Sequence, residues 1–293
     1  MEYKVERIFD GICHLGEGPL WNPSEKKLYW TDIFNKRIWM FDPASGESSI
    51  FWEGPLMVGG FAFTPHGSMV LCAEKDVLLL EGGRTKTLFH IEMAENEYFN
   101  DITTDPMGRI LAGTLTRGGG TGSLYRIEKG KSPARILEGI SCSNGMTFSP
   151  DLKRFFHTNT GKCLVTSYSY DAATGDISDP VTFYQGRKED GFPDGLTMDS
   201  EGYIWQAFWG SYEVRRLSPA GIVAGRIKVP AKQPSSVMFG GGNLDWLYIT
   251  SACQGATNLQ TGMDEKEGVF LGGNVYRCKT GTKGRPEWPA NFD

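Results

Sequence analysis

Apolar positions in this chain fall in short runs, and each run stops at a cluster of Gly, Pro, Asn, Asp or Ser. Glu17-Gly18-Pro19-Leu20-Trp21 is followed by the turn Asn22-Pro23-Ser24-Glu25 and then by Leu28-Tyr29-Trp30. In the same way Asp105-Pro106-Met107-Gly108 leads into Ile110-Leu111-Ala112, and Asp199-Ser200-Glu201-Gly202 into Tyr203-Ile204-Trp205. A turn cluster between two apolar or alternating runs predicts a β-hairpin. A third run follows, such as Arg37-Ile38-Trp39-Met40-Phe41 or Ser123-Leu124-Tyr125-Arg126-Ile127, so each unit predicts three to four short antiparallel strands.

These units repeat. Their opening phrases begin at Glu17, Gly59, Asn100, Asn144, Asp194 and Ser235, so successive copies lie 41 to 50 residues apart. That period belongs to propeller blades or solenoid turns. A lone unit of this kind cannot bury both faces, and six stacked around an axis leave only short, protected edges. The pattern predicts an all-β six-bladed β-propeller formed by residues 1–293 as a single domain. Tyr3-Lys4-Val5-Glu6-Arg7-Ile8-Phe9 precedes the first repeat and is expected to complete the last blade, beside Leu247–Thr250 and Asn274–Arg277. The strand after each lead residue is short and rich in small residues and Thr, so it is expected to be the innermost, with the lead at its entrance on the rim of a central channel.

Composition narrows the function classes. With 38 Gly and 15 Pro among 293 residues, the chain suits short strands and tight turns rather than long helices. The formal net charge is -5, from 30 basic and 35 acidic residues, and no run of Lys and Arg follows a phosphate backbone, so nucleic acid is not an expected partner. Residues 1–10 carry no basic region leading into an apolar stretch, and no segment reaches the length of a membrane span; a cytoplasmic protein without a membrane partner is expected. Cys13, Cys72, Cys142, Cys163, Cys253 and Cys278 are scattered, with no C-x-x-C pair, which predicts buried reduced thiols. The four histidines show no zinc-type spacing, the Gly-rich runs lack the trailing Lys of a phosphate loop, and no G-x-S-x-G elbow occurs. His157, on the second strand of its repeat, reads as a packed strand residue, with an approach to the channel as the alternative. The longest irregular stretch, Cys253 to Gly268, is either a lid or a surface excursion.

Four of the six leads, Glu17, Asn100, Asn144 and Asp194, carry carboxylate or amide oxygens. Polar residues at such places also serve simply as strand caps or turn formers. At equivalent positions of a closed repeat, however, they converge, and two carboxylates with two amide carbonyls form a hard-oxygen set that suits Ca²⁺, Mg²⁺ or Mn²⁺ and accepts Fe²⁺ or Zn²⁺. A divalent cation would also relieve the repulsion between two buried carboxylates.

The segments His14-Leu15-Gly16-Glu17-Gly18-Pro19-Leu20-Trp21, Phe99-Asn100-Asp101, Ser143-Asn144-Gly145-Met146, Phe192-Pro193-Asp194-Gly195 and Pro234-Ser235-Ser236-Val237-Met238-Phe239-Gly240-Gly241 occur in order and span nearly the whole chain. They resemble the family of gluconolactonases, regucalcin (senescence marker protein) and luciferin-regenerating enzymes. Phe156-His157-Thr158-Asn159-Thr160 and Asp199–Trp205 look most like its bacterial sugar-acid lactonases. The resemblance implies a six-bladed propeller with one catalytic divalent metal, Ca²⁺ foremost, with Zn²⁺, Mn²⁺, Mg²⁺ or Fe²⁺ as other candidates. Carried over by position, the ligands are Glu17, Asn144 and Asp194, with Asn100 directed at substrate or at metal-bound water. The implied reaction is hydrolysis of an aldonolactone, such as a glucono- or xylonolactone, to the free acid, with Asp194 as general base.

Two positions depart from the regucalcin pattern. Tyr98 stands where regucalcin has an Arg, and Arg117 where it has a Glu after the Gly-Thr-Met step. Tyr98 is expected to stack or hydrogen-bond on a sugar ring. Arg117 is expected either to accept an anionic substituent or to be a solvated loop charge in a Gly-rich turn. Competing functions are a hydrolase of other esters or organophosphates, and a non-catalytic calcium- or protein-binding propeller.

Overall fold

The computed structural model describes residues 3–292. The fold is an all-β six-bladed propeller in which each blade is a four-stranded antiparallel sheet. The strand β1 (Glu6–Phe9) comes first. Blade 1 then contains β2 (Gly16–Asn22), β3 (Lys27–Asp32), β4 (Arg37–Asp42) and β5 (Glu47–Glu53), and blade 2 contains β6 (Val58–Phe63), β7 (Met69–Ala73), β8 (Asp76–Glu81) and β9 (Arg84–His90). Blade 3 is built of β10 (Glu97–Thr104), β11 (Ile110–Thr116), β12 (Gly122–Ile127) and β13 (Ala134–Ile140), and blade 4 of β14 (Ser143–Phe148), β15 (Arg154–Asn159), β16 (Leu164–Tyr170) and β17 (Ile177–Gln185). Blade 5 comprises β18 (Phe192–Met198), β19 (Ile204–Trp209), β20 (Glu213–Leu217) and β21 (Val223–Lys228). Blade 6 begins with β22 (Pro234–Gly240) and β23 (Trp246–Ser251), continues after the small hairpin β24 (Met263–Asp264) and β25 (Val269–Phe270) with β26 (Val275–Lys279), and takes β1 as its fourth strand.

The N-terminal strand thus completes the last blade as expected. Glu6, Arg7 and Phe9 pair with Arg277, Tyr276 and Val275. The strand starts at Glu6 rather than Tyr3; Tyr3 instead packs edge-on against Trp205 at 6.0 Å.

Within a blade, burial falls from the first strand to the fourth. Every residue of β14 is buried, whereas none of β9 is. The first strand is therefore an edge whose unpaired backbone is covered, and only the fourth faces water, the arrangement that keeps propeller edges from pairing with other chains.

The chain forms two compact units. One takes residues 3–55 and 186–286, hence blades 1, 5 and 6; the other takes residues 56–185 and 287–292, hence blades 2, 3 and 4. In the first unit, Trp205, Phe239, Leu247, Ile249 and Tyr276 form a core joining blades 5 and 6, and Trp21, Leu28, Trp30, Tyr248 and Phe9 one joining blades 1 and 6. In the second, Val70, Phe99, Ile110, Tyr125 and Phe292 join blades 2 and 3, while Leu111, Leu124, Phe148 and Phe155 join blades 3 and 4. Each such side chain contributes about 1.5–3 kcal/mol when fully buried. The last residues fasten these blades: Ala290 N donates to Phe63 O (2.7 Å), Asn291 N to Gly108 O (2.9 Å), and Trp288 packs edge-on against Phe148.

All six cysteines are free thiols, five of them buried and Cys142 partly so. The stretch expected to be irregular, Cys253–Gly268, contains β24 and is tied down where Gln233 Nε2 donates to Gln254 O (2.9 Å) and Asn258 Nδ2 to Glu265 Oε1 (2.8 Å). Gly118, Gly119 and Gly120 all have φ between +78° and +121°, and form the turn that their composition predicts.

Candidate functional site

Every first strand carries an irregularity at the same place. The antiparallel register breaks between Glu17 and Leu20 in β2, Val58 and Gly60 in β6, Phe99 and Ile102 in β10, Asn144 and Met146 in β14, Pro193 and Leu196 in β18, and Pro234 and Val237 in β22. The six lead phrases are thus six β-bulges. The leads lie inside their strands rather than at the strand entrances, which refines the sequence expectation. A bulge re-aims a side chain and interrupts the backbone ladder, a device common beside active sites.

In the first unit, Glu17 and Asp194 are buried carboxylates, 8% and 5% exposed. Glu17 Oε2 accepts from the Gly18 amide at 3.1 Å. The strands carrying them, β2 and β18, both pack against β22. Ser235 Oγ donates to Gly16 O at 2.5 Å, and at Gly195 a Cβ would lie 2.1 Å from Ser236 Oγ, so only glycine admits this approach. Ser235, a lead without evident chemistry of its own, therefore anchors the strand of Glu17.

In the second unit, Asn100 and Asn144 are hydrogen-bonded to each other. Asn100 Nδ2 donates to Asn144 Oδ1 at 2.8 Å and to Ser143 O at 2.9 Å, and Asn144 Nδ2 donates to Thr160 Oγ1 at 2.9 Å. With its nitrogen engaged by Thr160, Asn144 keeps one carbonyl lone pair beyond the one that Asn100 occupies. Gly59 has a packing role here: a Cβ at that position would lie 2.5 Å from the carbonyl oxygens of both Phe99 and Asn100.

Tyr98 and Arg117 come together at the open end of blade 3. The guanidinium lies 5.1 Å from the Tyr98 ring centroid, a cation–π contact, and an Arg117 nitrogen stands 3.3 Å from Met57 Sδ. Arg117 is exposed.

Several residues join the candidate site that motif reading passed over. Asp101, next to Asn100 in its bulge, has its carboxyl pushed up to about 7 by burial, opposed by a bond from the Ile102 amide and reinforced by the charge of Glu287. His157, read from sequence as packing, is buried and hydrogen-bonds Ser143 Oγ through Nε2 at 2.7 Å; burial pushes its imidazole down to about 4, so it is neutral at physiological pH. Thr31 Oγ1 donates to Glu17 O (3.3 Å), and Gln206 Nε2 to Asp194 O (3.1 Å). His157 lies in the Phe156–Thr160 segment that resembles the sugar-acid lactonases, whereas no such segment contains Thr31 or Gln206. Only the spacing of polar positions on otherwise apolar strands hints at them.

Among the described residues, no group of three His, Cys, Asp or Glu side chains forms a metal centre by itself. Glu17 and Asp194 in the first unit and Asn144 in the second carry buried carboxylate and amide oxygens, the donor types that hard divalent cations select.

Comparison with known proteins places the chain. The family model described as SMP-30/Gluconolactonase/LRE-like region matches residues 15–253. Pentonolactonase XacC of Haloferax volcanii is 34% identical over 286 residues, which cover 97% of either chain. A 6-deoxy-6-sulfogluconolactonase of Pseudomonas putida is 34% identical over 244 residues, covering 81% of this chain and 83% of that one. The crystal structure of a calcium-binding protein, regucalcin, from Agrobacterium tumefaciens superimposes with a TM-score of 0.90 at 26% identity, over 99% of this chain and 98% of that one. The chain, by motif order, fold and family match alike, belongs to the SMP-30/gluconolactonase/luciferin-regenerating enzyme family.

Proposed function

We propose that this protein hydrolyses a sugar-acid lactone, an aldonolactone of the glucono- or xylono- class, to the free aldonic acid. In this reading Glu17, Asn144 and Asp194 are the ligands of one divalent metal, Ca²⁺ foremost. The observation that carries it is the common placement of these three oxygen donors: each is buried and each sits at the β-bulge of its blade's first strand. Names of relatives support the substrate class, because a pentonolactonase and a sulfogluconolactonase both open sugar lactones.

The chemistry a divalent cation supplies is polarisation of the lactone carbonyl and a lowered pKa for water. Asp194 takes a proton from the attacking water as its oxygen bonds to the carbonyl carbon. The ring C–O bond then breaks, and the leaving oxygen recovers that proton from Asp194 as a hydroxyl. Asn100, whose Nδ2 is committed to Asn144 and Ser143, presents Oδ1 to a substrate hydroxyl or to the water. Tyr98 offers its ring to the sugar, and Arg117 binds an anionic substituent where the substrate has one.

The test is proton release from a panel of neutral, phosphorylated and sulfonated lactones. Measurements with chelator and after return of Ca²⁺, Zn²⁺, Mn²⁺, Mg²⁺ or Fe²⁺ singly decide the metal. Turnover that a chelator abolishes and one metal restores is the expected result. No hydrolysis of any aldonolactone with any of these ions rejects the proposal in favour of a non-catalytic calcium- or protein-binding propeller.

A further inference from the structure

A bulge strips backbone carbonyls of their ladder partners, and a buried carbonyl left without a donor destabilises the fold. Three blades answer this with the same device, a buried polar side chain on the second strand that donates to a bulge carbonyl of the first, and a fourth instead bonds a hydroxyl beside the bulge. In blade 1, Thr31 Oγ1 donates to Glu17 O at 3.3 Å; in blade 5, Gln206 Nε2 donates to Asp194 O at 3.1 Å; in blade 6, Thr250 Oγ1 donates to Ser236 O at 3.3 Å. Blade 4 uses a longer side chain. His157 Nε2 meets Ser143 Oγ at 2.7 Å, with its ring stacked over Phe155, and Ser143 is the residue whose carbonyl Asn100 clamps beside Asn144. Thr31, Gln206 and Thr250 are wholly buried and His157 is 3% exposed, so none of them is directed to solvent.

Three of these four bulges carry Glu17, Asn144 and Asp194. The direction of each of those side chains follows from the bulge's backbone angles, which a bond from the second strand restricts. We infer that Thr31, His157 and Gln206 are positioning residues that set the geometry of the three oxygen donors; Thr250, whose Oγ1 also lies 2.9 Å from Ser235 Oγ, bears on the strand of Glu17 through Ser235. The inference rests on the metal reading of Glu17, Asn144 and Asp194.

Near-isosteric variants test it: Thr31→Val, His157→Phe and Gln206→Met against Thr64→Val in blade 2, which carries none of the three donors and where Thr64 Oγ1 donates to Ser68 O at 3.3 Å, with Thr31→Ser as the variant that keeps the hydroxyl. Titration with Mn²⁺ alone, followed by electron paramagnetic resonance of the free ion, gives the affinity without reference to turnover. Each of the first three variants is expected to weaken Mn²⁺ binding about 10- to 100-fold, the range seen when groups that orient metal ligands are removed. Thr31→Ser is expected to bind as wild type does, and Thr64→Val to lower the unfolding temperature while binding Mn²⁺ normally. Equal loss of affinity in all four valine, phenylalanine and methionine variants, or loss in none, overturns the inference. Wild-type protein that takes up no Mn²⁺ or other divalent ion instead rejects the metal reading. The local claim is then decided by the backbone amide signals of Gly18, Gly145 and Gly195. Each is expected to move in the variant of its own blade and to stay put in Thr64→Val, and unmoved signals overturn it.

Discussion

One nitrogen of Asn100 binds two oxygens at once, Asn144 Oδ1 at 2.8 Å and Ser143 O at 2.9 Å. The lead residue of one blade thereby holds the lead residue of the next within the same unit. Asn100→Asp replaces that donor with a carboxylate facing two acceptor oxygens. Its kcat/KM for a hydrolysed lactone is expected to fall at least about 100-fold, roughly 2.7 kcal/mol of transition-state stabilisation. Steady-state kinetics beside circular dichroism check this. A variant within threefold of wild type would remove Asn100 from the site.

Asp194→Asn keeps an oxygen donor but abolishes the base. Metal affinity is expected to stay within about tenfold and kcat to fall by about 10² to 10⁴, the usual span for a lost general base. Paired calorimetric titration and turnover measurements separate the two roles, and full turnover would exclude Asp194 as the proton acceptor.

Arg117 lies against the Tyr98 ring and is exposed to solvent. Arg117→Ala is expected to raise KM about tenfold or more for a sulfonated or phosphorylated lactone, the loss of one charge-assisted hydrogen bond of about 1.5–3 kcal/mol. KM for a neutral lactone is expected to be unchanged. Equal changes for both substrates would assign the residue to the loop's own structure.

His157 supplies a pH signature. Its folded pKa of about 4 lies below the ordinary value of 6.5, so between those limits the unfolded chain binds the proton and the folded chain does not. Stability is therefore expected to fall as pH drops from about 6.5 to about 4, by about 3 kcal/mol in total from this residue. Denaturant unfolding of metal-free protein across that range measures it, and His157→Gln is expected to flatten the slope. An identical slope in wild type and variant would show that other groups are responsible.

Asp101 acts in the opposite sense. A carboxyl raised to about 7 in the folded state destabilises the fold progressively as pH climbs from about 4 to about 7. Asp101→Asn keeps an acceptor for the Ile102 amide, and its unfolding temperature is expected to exceed that of wild type at pH 8 and to match it near pH 4. A variant no more stable than wild type at pH 8 would contradict the raised value.

Removal of residues 1–9 leaves β26 paired with β23 alone, as an exposed edge, and takes Phe9 out of the core it shares with Trp30 and Trp39. A loss of several kcal/mol is expected from the aromatic side chain and the exposed edge together. An unaltered melting temperature would contradict the role of β1 in the last blade.

Much of this was legible in the chain itself. The hairpin runs around Asn22–Glu25 and Asp105–Gly108 mark strands because their turn residues are local, and local chemistry needs no partner to act. The extra run before the first repeat predicts the fourth strand of blade 6 for the same reason, although its start moves from Tyr3 to Glu6. The bulges were not legible. Glu17-Gly18-Pro19 and Asn144-Gly145-Met146 read as strand openings, and their displaced register depends on strands paired across each blade. Gly59 and Ser235 look silent as residues, yet one gives way to the backbone at Asn100 and the other holds the strand of Glu17, because both contacts reach across to a neighbouring blade.

By itself the sequence determined the repeat, the all-β blade and the oxygen-bearing leads, since periodicity and side-chain chemistry are written residue by residue. Only the tertiary structure decided that the leads sit on bulges, that Asn100 bonds Asn144, and that Thr31, His157 and Gln206 reach back to the bulges. Those are relations between strands, fixed by which buried donor lies within about 3 Å of which stranded carbonyl or hydroxyl, and no linear pattern encodes that distance.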